Sequence, residues 1–182
     1  KANFYQLNFA DQILPAPIHG GFKMDDYWVW CGSLIKGEDR QYHMFASRWP
    51  KSLPFFAGYI QASEVVRAVS SKAEGHYRFE EVVLQRRGPE FWDGVMTHCP
   101  TIHKWKDIFL LFYIGTGSDY GHIRIGLLTS KSVHGPWKRL DKPVLEPRPG
   151  KWDSSVVTNP APCVMSDGRI LLVYRSNTAE GL

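Results

Sequence analysis

The stretch Trp92–Tyr113, WDGVMTHCPTIHKWKDIFLLFY, decides the fold because it returns 60 residues later as Trp152–Tyr174, WDSSVVTNPAPCVMSDGRILLVY. Both copies begin with Trp-Asp, pass through a Pro and an Asp, and end in a Leu-Leu pair followed by an apolar residue and Tyr. Self-similarity at a fixed period is the sequence signature of a repeat architecture. The chain is therefore expected to be built from repeated structural units.

A fainter first copy, Gly32–Phe45, keeps the same phase, because Asp39 lies seven residues after Gly32 as Asp107 lies seven after Pro100. In each unit a strand leads into an Asp or Asp-Gly turn and then into an aromatic strand, which predicts an antiparallel hairpin. The predicted first strands are Val29–Lys36, Thr101–Lys104 and Ala161–Met165, and the second unit continues with Ile123–Ser130 and Trp137–Leu140. No window keeps a helical apolar period for long, so the units predict an all-β protein, a β-propeller made of four-stranded antiparallel blades.

The repeat divides the chain into a lead-in (1–21), a first blade (22–90), a second blade (91–150) and the start of a third (151–182). Four blades of this length would need about 240 residues, and the 182 residues hold about two and a half. We therefore expect a fragment or one piece of a split protein. Its open sheet edges predict a missing remainder of the propeller or a second chain.

Composition narrows the function classes. The 43% hydrophobic and 22% charged residues are typical of a globular domain, and the net charge of +4 is not gathered into basic clusters, which argues against nucleic acid as a partner. The longest apolar run, Ile108–Ile114, is far shorter than the roughly 20 residues of a membrane span, so no membrane partner is expected. Cys31, Cys99 and Cys163 are an odd number without CxxC spacing and are predicted to be buried free thiols.

Three anchor stretches carry a family resemblance: Gly32–Lys36, His98–Ile102 and Thr158–Pro162. At these residues the chain resembles the five-bladed propeller glycosidases, nearest to glycoside hydrolase family 43 and its relatives, a superfamily that also holds the family 32 type. The resemblance implies a carbohydrate substrate, a central pocket, and no cofactor beyond the structural Ca²⁺ of some relatives. A polysaccharide substrate would favour a secreted or periplasmic location, although no leader segment is visible.

The chain differs from the family at the positions of the catalytic carboxylates. The position of the family's general base corresponds to Cys31, and the position of its pKa-tuning Asp corresponds to Asn159. The general-acid Glu of the family usually opens the fourth blade, which would lie beyond Leu182. None of the three carboxylates is therefore visibly in place.

Other carboxylates are the candidate catalytic groups, because glycoside hydrolysis needs a pair of them flanking the scissile bond. Asp25, Asp93 and Asp153 each lie seven residues before their anchors and are predicted to converge on one mouth, with Asp25 or Asp26 as the base. Glu180 is a candidate late acid or a plain surface residue. The alternative for the Trp-Asp pairs is a structural cap.

Several polar and aromatic residues are candidates for sugar contact: His98, Asn159, Arg48, Arg175, Trp28 and Trp92. Neutral His and Asn donate and accept hydrogen bonds as sugar hydroxyls require, or else satisfy the strand-end backbone. The two arginines are predicted to share a register and could grip a carboxylate-bearing sugar, or they are ordinary surface residues. The tryptophans could stack on sugar rings or pack in the core. A metal at His98 and Cys99 is a third possibility, but spacing fixes no third ligand, so no metal site is assigned.

The sequence therefore predicts a glycoside hydrolase that cleaves oligo- or polysaccharide bonds by carboxylate acid/base catalysis. A non-catalytic carbohydrate-binding propeller is the main alternative, and a structural or interaction blade set is the third. The pocket lining separates them. Three convergent carboxylates favour the enzyme, aromatic and amide groups favour the binding protein, and a plugged axis favours the structural role.

Overall fold

The computed structural model describes residues 9–178, which form ten strands and one α-helix. The strands are β1 (Tyr27–Lys36), β2 (Tyr42–Pro50), β3 (Glu64–Ser70), β4 (Arg78–Leu84), β5 (Met96–Trp105), β6 (Ile108–Thr116), β7 (Arg124–Ser130), β8 (Lys138–Arg139), β9 (Val156–Val164) and β10 (Ile170–Asn177). Helix α1 spans Phe55–Ala62, and a short 3₁₀-helix spans Phe9–Gln12. No helix among these residues is long and apolar enough to cross a membrane.

The strands form three antiparallel sheets that follow the sequence repeat. One sheet has the order β1-β2-β3-β4, the next has β5-β6-β7-β8, and β9 and β10 form a hairpin. Neighbouring strands are consecutive in the chain because short turns join them, as in the blades of a propeller. The predicted all-β fold of four-stranded antiparallel blades is confirmed. We call the sheets blade 1, blade 2 and the blade 3 hairpin.

The first strands of blade 2 and of the blade 3 hairpin begin earlier than the sequence predicted. β5 starts at Met96 and β9 at Val156, so the anchor prolines lie inside the strands and not before them. Each first strand stays paired across its anchor by accommodating a β-bulge, at Cys31, Cys99 and Asn159. The φ angles there are 53°, 47° and 51°, so the same irregularity recurs in all three units.

The blades are held together by apolar packing and by hydrogen bonds between their first strands. One core cluster includes Phe45 and Val65 of blade 1 with Leu111 and Tyr113 of blade 2, all completely buried. The backbone N–H of Ile102 donates to Ser33 Oγ at 3.1 Å across the first two blades. Thr101 Oγ1 donates to the Pro160 carbonyl at 2.9 Å across the next pair. The inner strands are thereby fixed side by side.

Helix α1 is an insertion between β2 and β3 that the repeat did not predict. At eight residues it is too short to show a helical period, and no side chain caps its N-terminus. Its aromatic side chains pack against β2, with the Phe55 and Trp49 rings 5.1 Å apart and the Tyr59 and Trp49 rings 6.2 Å apart. The helix therefore covers one end of the first strands.

Candidate functional site

The three bulges bring matching side chains of the three units together. A β-bulge places two residues opposite one on the partner strand and so re-aims side chains that a regular strand would alternate. The bulged residues Cys31, Cys99 and Asn159 line a shallow depression, together with Pro100 and Pro160. The residues directly before them, Trp30, His98 and Thr158, line a deeper cavity that shares Cys99 and Asn159 with the depression.

This deeper cavity, the aromatic cavity, has a volume of about 310 Å³. That is the lower end of the range for small-ligand pockets. Its walls combine aromatic and polar groups from all three units and from α1: Trp30, Trp49, Phe55, Phe56, Tyr59, His98, Cys99, Thr158, Asn159, Arg175 and Asn177. Ile114, Ile123 and Val156 complete the lining. No carboxylate is among these described lining residues.

Trp30 and His98 differ in how firmly they are held. Trp30 keeps 54% of its surface exposed and meets the edge of Phe55 at 5.3 Å, so its indole is available to a ligand. His98 is buried, and its ring lies 5.0 Å from the Tyr59 ring. Its Nδ1 shares a 2.8 Å hydrogen bond with Ser63 Oγ at the end of α1. The imidazole orientation is therefore fixed, and its other nitrogen lies toward the cysteines.

Cys31 and Cys99 form a thiol pair across the first two blades, with their sulfur atoms 2.9 Å apart. Cys31 Sγ also lies 3.9 Å from His98 Nε2. The hydrogen bond with Cys99 lowers the pKa of the Cys31 thiol to about 5, against the effect of burial and with help from His98. The same contact and burial raise the pKa of Cys99. Cys31 is thus favoured as the thiolate, and Cys99 as the thiol that donates a hydrogen bond to it. Beside His98 and Cys99, Cys31 is also a third possible metal ligand, which the spacing in the sequence did not indicate.

The predicted common register of Arg48 and Arg175 is wrong by one residue. Strand pairing sets Ser47 opposite Trp30 and Arg175 opposite Thr158, so Arg175 corresponds to Ser47. Because side chains alternate along a strand, a shift of one residue moves Arg48 to the other face. Arg175 lines the aromatic cavity, and no described carboxylate forms an ion pair with it.

Arg48 is buried on that other face and its charge is already paired. Its Nε donates to Glu64 Oε1 at 2.9 Å, and its Nη2 forms an ion pair with the same oxygen at 2.8 Å. Its guanidinium lies over the rings of Tyr27 and Phe79, at 4.3 and 4.6 Å. These contacts give Arg48 a role within blade 1, away from the aromatic cavity.

Asp93 is completely buried within blade 2, and its carboxylate is enclosed by three partners. Arg87 Nε donates to Oδ1 at 2.9 Å, and Arg87 Nη2 forms an ion pair with the same oxygen at 2.8 Å. Arg139 and Tyr113 Oη each approach Oδ2 at 2.5 Å. The neighbouring Trp92 stacks on Tyr113 at 5.9 Å and donates its Nε1–H to the Asp141 carbonyl at 2.9 Å. These contacts correspond to the structural-cap alternative for both residues of the Trp-Asp pair.

Asp153 repeats this arrangement in the blade 3 hairpin. It is completely buried, accepts hydrogen bonds from Tyr174 Oη and from Arg148 Nε, both at 2.8 Å, and follows Trp152, which stacks on Tyr174. Burial opposes its ionisation, but the bonds from Tyr174 and Arg148 outweigh burial and hold the pKa of the carboxyl below its usual value. Asp93 and Asp153 thus occupy equivalent positions, and each is a buried carboxylate held by a tyrosine and by arginine.

Asp25 and Asp26 lie at a surface turn before β1. Both are exposed, and they line a small depression with Tyr27 and Lys51, separate from the aromatic cavity. The Asp25 side chain is 90% exposed and pairs with Lys23 at 3.5 Å. The predicted convergence of Asp25, Asp93 and Asp153 on one mouth is therefore not seen, since two are enclosed within their own units and one faces solvent.

Two further candidates fall elsewhere. Trp28 is half-buried outside the aromatic cavity, where its edge meets Phe55 at 5.3 Å and its Nε1–H donates to the Leu53 carbonyl at 3.4 Å. Glu180 lies outside the described residues. Of the predicted contact residues, the structure brings together His98, Asn159 and Arg175. It adds Cys31, Trp30 and Tyr59. For Trp30, the only signal in the sequence was that a tryptophan lies near the start of a predicted strand.

Comparison with known proteins gives solved structures only. No protein-family model and no curated protein sequence matches the chain. A family 117 glycoside hydrolase, Zg3597 of the marine bacterium Zobellia galactanivorans, superposes with a TM-score of 0.73 at 18% identity, over 88% of this chain and 53% of that one.

Two family 43 structures match in the same way. One is CoXyl43, a β-xylosidase/α-arabinofuranosidase from a compost microbial metagenome solved with xylotriose (TM-score 0.62, 17% identity, 86% of this chain and 45% of that one). The other is a Xanthomonas citri enzyme, also with xylotriose (TM-score 0.60, 15% identity, 82% and 40%). The chain spans about half the length of these structures, and at such identities the likeness shows their common fold, as the resemblance predicted.

Proposed function

We propose that the aromatic cavity binds a saccharide and that the chain is the sugar-recognising part of a glycoside hydrolase-like propeller. The observation that carries this proposal is the lining of the cavity. Exposed and half-buried aromatic rings stand beside the Asn159 amide, the His98 imidazole and the Arg175 guanidinium, which has no ion pair among residues 9–178. The amide lies at a bulged position and the imidazole directly before one. This is the aromatic and amide lining expected for carbohydrate binding.

Each lining group has a matching part of a sugar. The apolar face of a pyranose or furanose ring packs on an aromatic face, and Trp30, with 54% of its surface exposed, offers an accessible one. The Asn159 amide both donates and accepts hydrogen bonds, which suits vicinal hydroxyls. Arg175 offers a planar pair of donors for a carboxylate, so a uronic acid residue in the glycan is the favoured charged group.

Glycoside hydrolysis is the second candidate. It is supported by the fold that the chain shares with glycoside hydrolase structures of families 117 and 43, but the two bulge positions to which the resemblance assigns carboxylates here carry Cys31 and Asn159. A carboxylate mechanism in this chain would need acids from outside the described cavity lining. Asp25 and Asp26 as base and Glu180 as acid stay predictions, as does the count of five blades.

The test is calorimetric titration of the chain with a panel of neutral and uronic oligosaccharides, run beside a reducing-sugar assay for turnover. Trp30→Ala is expected to weaken binding about tenfold, the usual effect of truncating a contact worth more than 1 kcal/mol. Trp152→Ala is the matched control because its side chain has similar exposure, 56% against 54%, but stacks on Tyr174 away from the cavity. Equal losses in both variants, or no binding by the wild type, would refute the proposal.

Turnover separates the two candidates. Binding without turnover supports the recognition role. Turnover that falls in Asp25→Asn or Asp26→Asn, with affinity retained, supports the hydrolase and the predicted base.

A further inference from the structure

We infer that Cys31, Cys99 and His98 form a binding site for a thiophilic divalent metal such as Zn²⁺. Their two sulfur atoms and one imidazole nitrogen all lie within 4.8 Å of one another. They come from the first strands of two blades, and Cys31 and His98 are 67 positions apart in sequence. The inference concerns metal binding alone and does not depend on a bound sugar.

The donor geometry needs small adjustments to hold Zn²⁺. With Zn–S distances near 2.3 Å and Zn–N near 2.0 Å, a tetrahedral ion sets two sulfurs about 3.8 Å apart and a sulfur and nitrogen about 3.5 Å apart. The Cys31 sulfur already lies 3.9 Å from His98 Nε2. The two sulfurs, at 2.9 Å, would separate by less than 1 Å. Thiolate and imidazole are the ligands that zinc prefers in proteins.

The surroundings of His98 distinguish a metal from a disulfide. Ser63 holds Nδ1 at 2.8 Å and leaves Nε2 aimed at the sulfurs, which is how an outer-shell partner orients a metal-ligating imidazole. A Cys31–Cys99 disulfide would use both sulfurs and leave the buried Nε2 without a strong polar partner, which is costly in a protein interior. A metal uses all three groups.

The fourth coordination position of the metal would face the aromatic cavity and the neighbouring depression. Cys99 lines both the aromatic cavity and the neighbouring depression, and Asn159 lines both as well. Three protein ligands and one open position are the pattern of zinc sites that bind water or substrate. The metal would therefore be accessible from the cavity, and it would also join blade 1 to blade 2.

The test uses the full chain, reduced with a phosphine, stripped of metal and titrated with Co²⁺ in the absence of oxygen. One equivalent is expected to give the near-ultraviolet charge-transfer absorption of a thiolate–cobalt bond, and Zn²⁺ is expected to abolish it. Because this measurement needs no variant, it remains decisive if a substitution prevents folding. Absence of stoichiometric uptake by the folded, reduced chain would overturn the inference.

Variants then assign the ligands. Cys31→Ser, Cys99→Ser and His98→Gln are expected to lose the absorption or weaken binding more than 100-fold, and Ser63→Ala is expected to weaken it about 10- to 100-fold through the outer shell. Cys163→Ser is the control, because that thiol is exposed on the blade 3 hairpin and outside the cluster. Unchanged uptake in Cys31→Ser, or equal loss in Cys163→Ser, would show that the assigned ligands are wrong.

Discussion

Replacing Asp93 with Asn distinguishes a structural Trp-Asp pair from a catalytic one. The substitution keeps the shape of the side chain and removes its negative charge. In the folded chain that charge faces Arg87 at 2.8 Å and Arg139 at 2.5 Å, and Tyr113 Oη at 2.5 Å. No surface of Asp93 reaches solvent, so water cannot replace the lost interactions.

The size of the effect follows from what remains after the substitution. Two guanidinium groups, with side chains 23% and 16% exposed, lose their shared counterion. Removing one partner of a buried ion pair costs about 3–5 kcal/mol, and the partial exposure of both arginines favours the lower end, about 3 kcal/mol. For a chain of this length that corresponds to a fall in Tm of roughly 6–12 °C.

Urea unfolding followed by tryptophan fluorescence measures the change in the free energy of unfolding. Asp25→Asn is the matched control, and with its side chain 90% exposed it is expected to change stability by less than about 0.5 kcal/mol. Asp153→Asn is expected to fall between the two, because its partner Arg148 is 54% exposed. If Asp93→Asn unfolds within about 0.5 kcal/mol of the wild type and instead loses turnover, the structural assignment is refuted.

Three further predictions concern packing, charge recognition and pH. Gly126→Ala is expected to destabilise the chain by about 1–3 kcal/mol in urea, because the added Cβ would overlap the Tyr113 ring. Unchanged stability would contradict the packing described. Arg175→Gln is expected to weaken binding of a uronic oligosaccharide about tenfold more than binding of its neutral analogue, as measured by calorimetry, and equal losses would contradict the predicted carboxylate contact. Burial favours neutral Glu38, but hydrogen bonds from Ser132 Oγ and the Val133 N–H outweigh it and lower its pKa. Its stabilising contribution is therefore present above the unfolded pKa of about 4.3 and is lost as the pH falls through the folded pKa. The difference in unfolding free energy between the wild type and Glu38→Gln should therefore narrow in acid, and a difference that does not change with pH would contradict this prediction.

The repeat could be predicted from the sequence because its signals are local. The Asp turn after each anchor closes a two-strand hairpin, and the period of 60 residues needs only internal comparison. Helix α1 could not be predicted in this way, because its eight residues show no helical period and carry no side-chain cap. The helix matters for the site because Phe55 and Tyr59 form one wall of the aromatic cavity.

The positions of the charged residues could not be predicted by counting from an anchor. The bulge at each anchor adds a residue to the first strand and none to its partner. The number of residues from an anchor to a position on the second strand therefore does not tell which residues are paired across the sheet. A single-residue error was enough to assign Arg48 and Arg175 to the same face. The carboxylates Asp93 and Asp153 do share a register, but the tyrosines that bond to them lie 20 and 21 residues further along the chain, and Arg139 lies 46 residues from Asp93. Counting from the Trp-Asp pairs therefore did not show that both carboxylates are enclosed.

The bulges connect the fold to its chemistry. Each first strand carries one residue with φ near +50°, a conformation that Asn adopts readily and that is uncommon for Cys. Asn159 is therefore the residue that this backbone prefers, whereas Cys31 and Cys99 occupy the same conformation without such a preference. Strained positions persist where the surrounding structure determines them, and they cluster where side chains have a function. Backbone preference does not account for two cysteines meeting across adjacent blades beside an oriented imidazole, so the reason for them lies in the chemistry of their side chains.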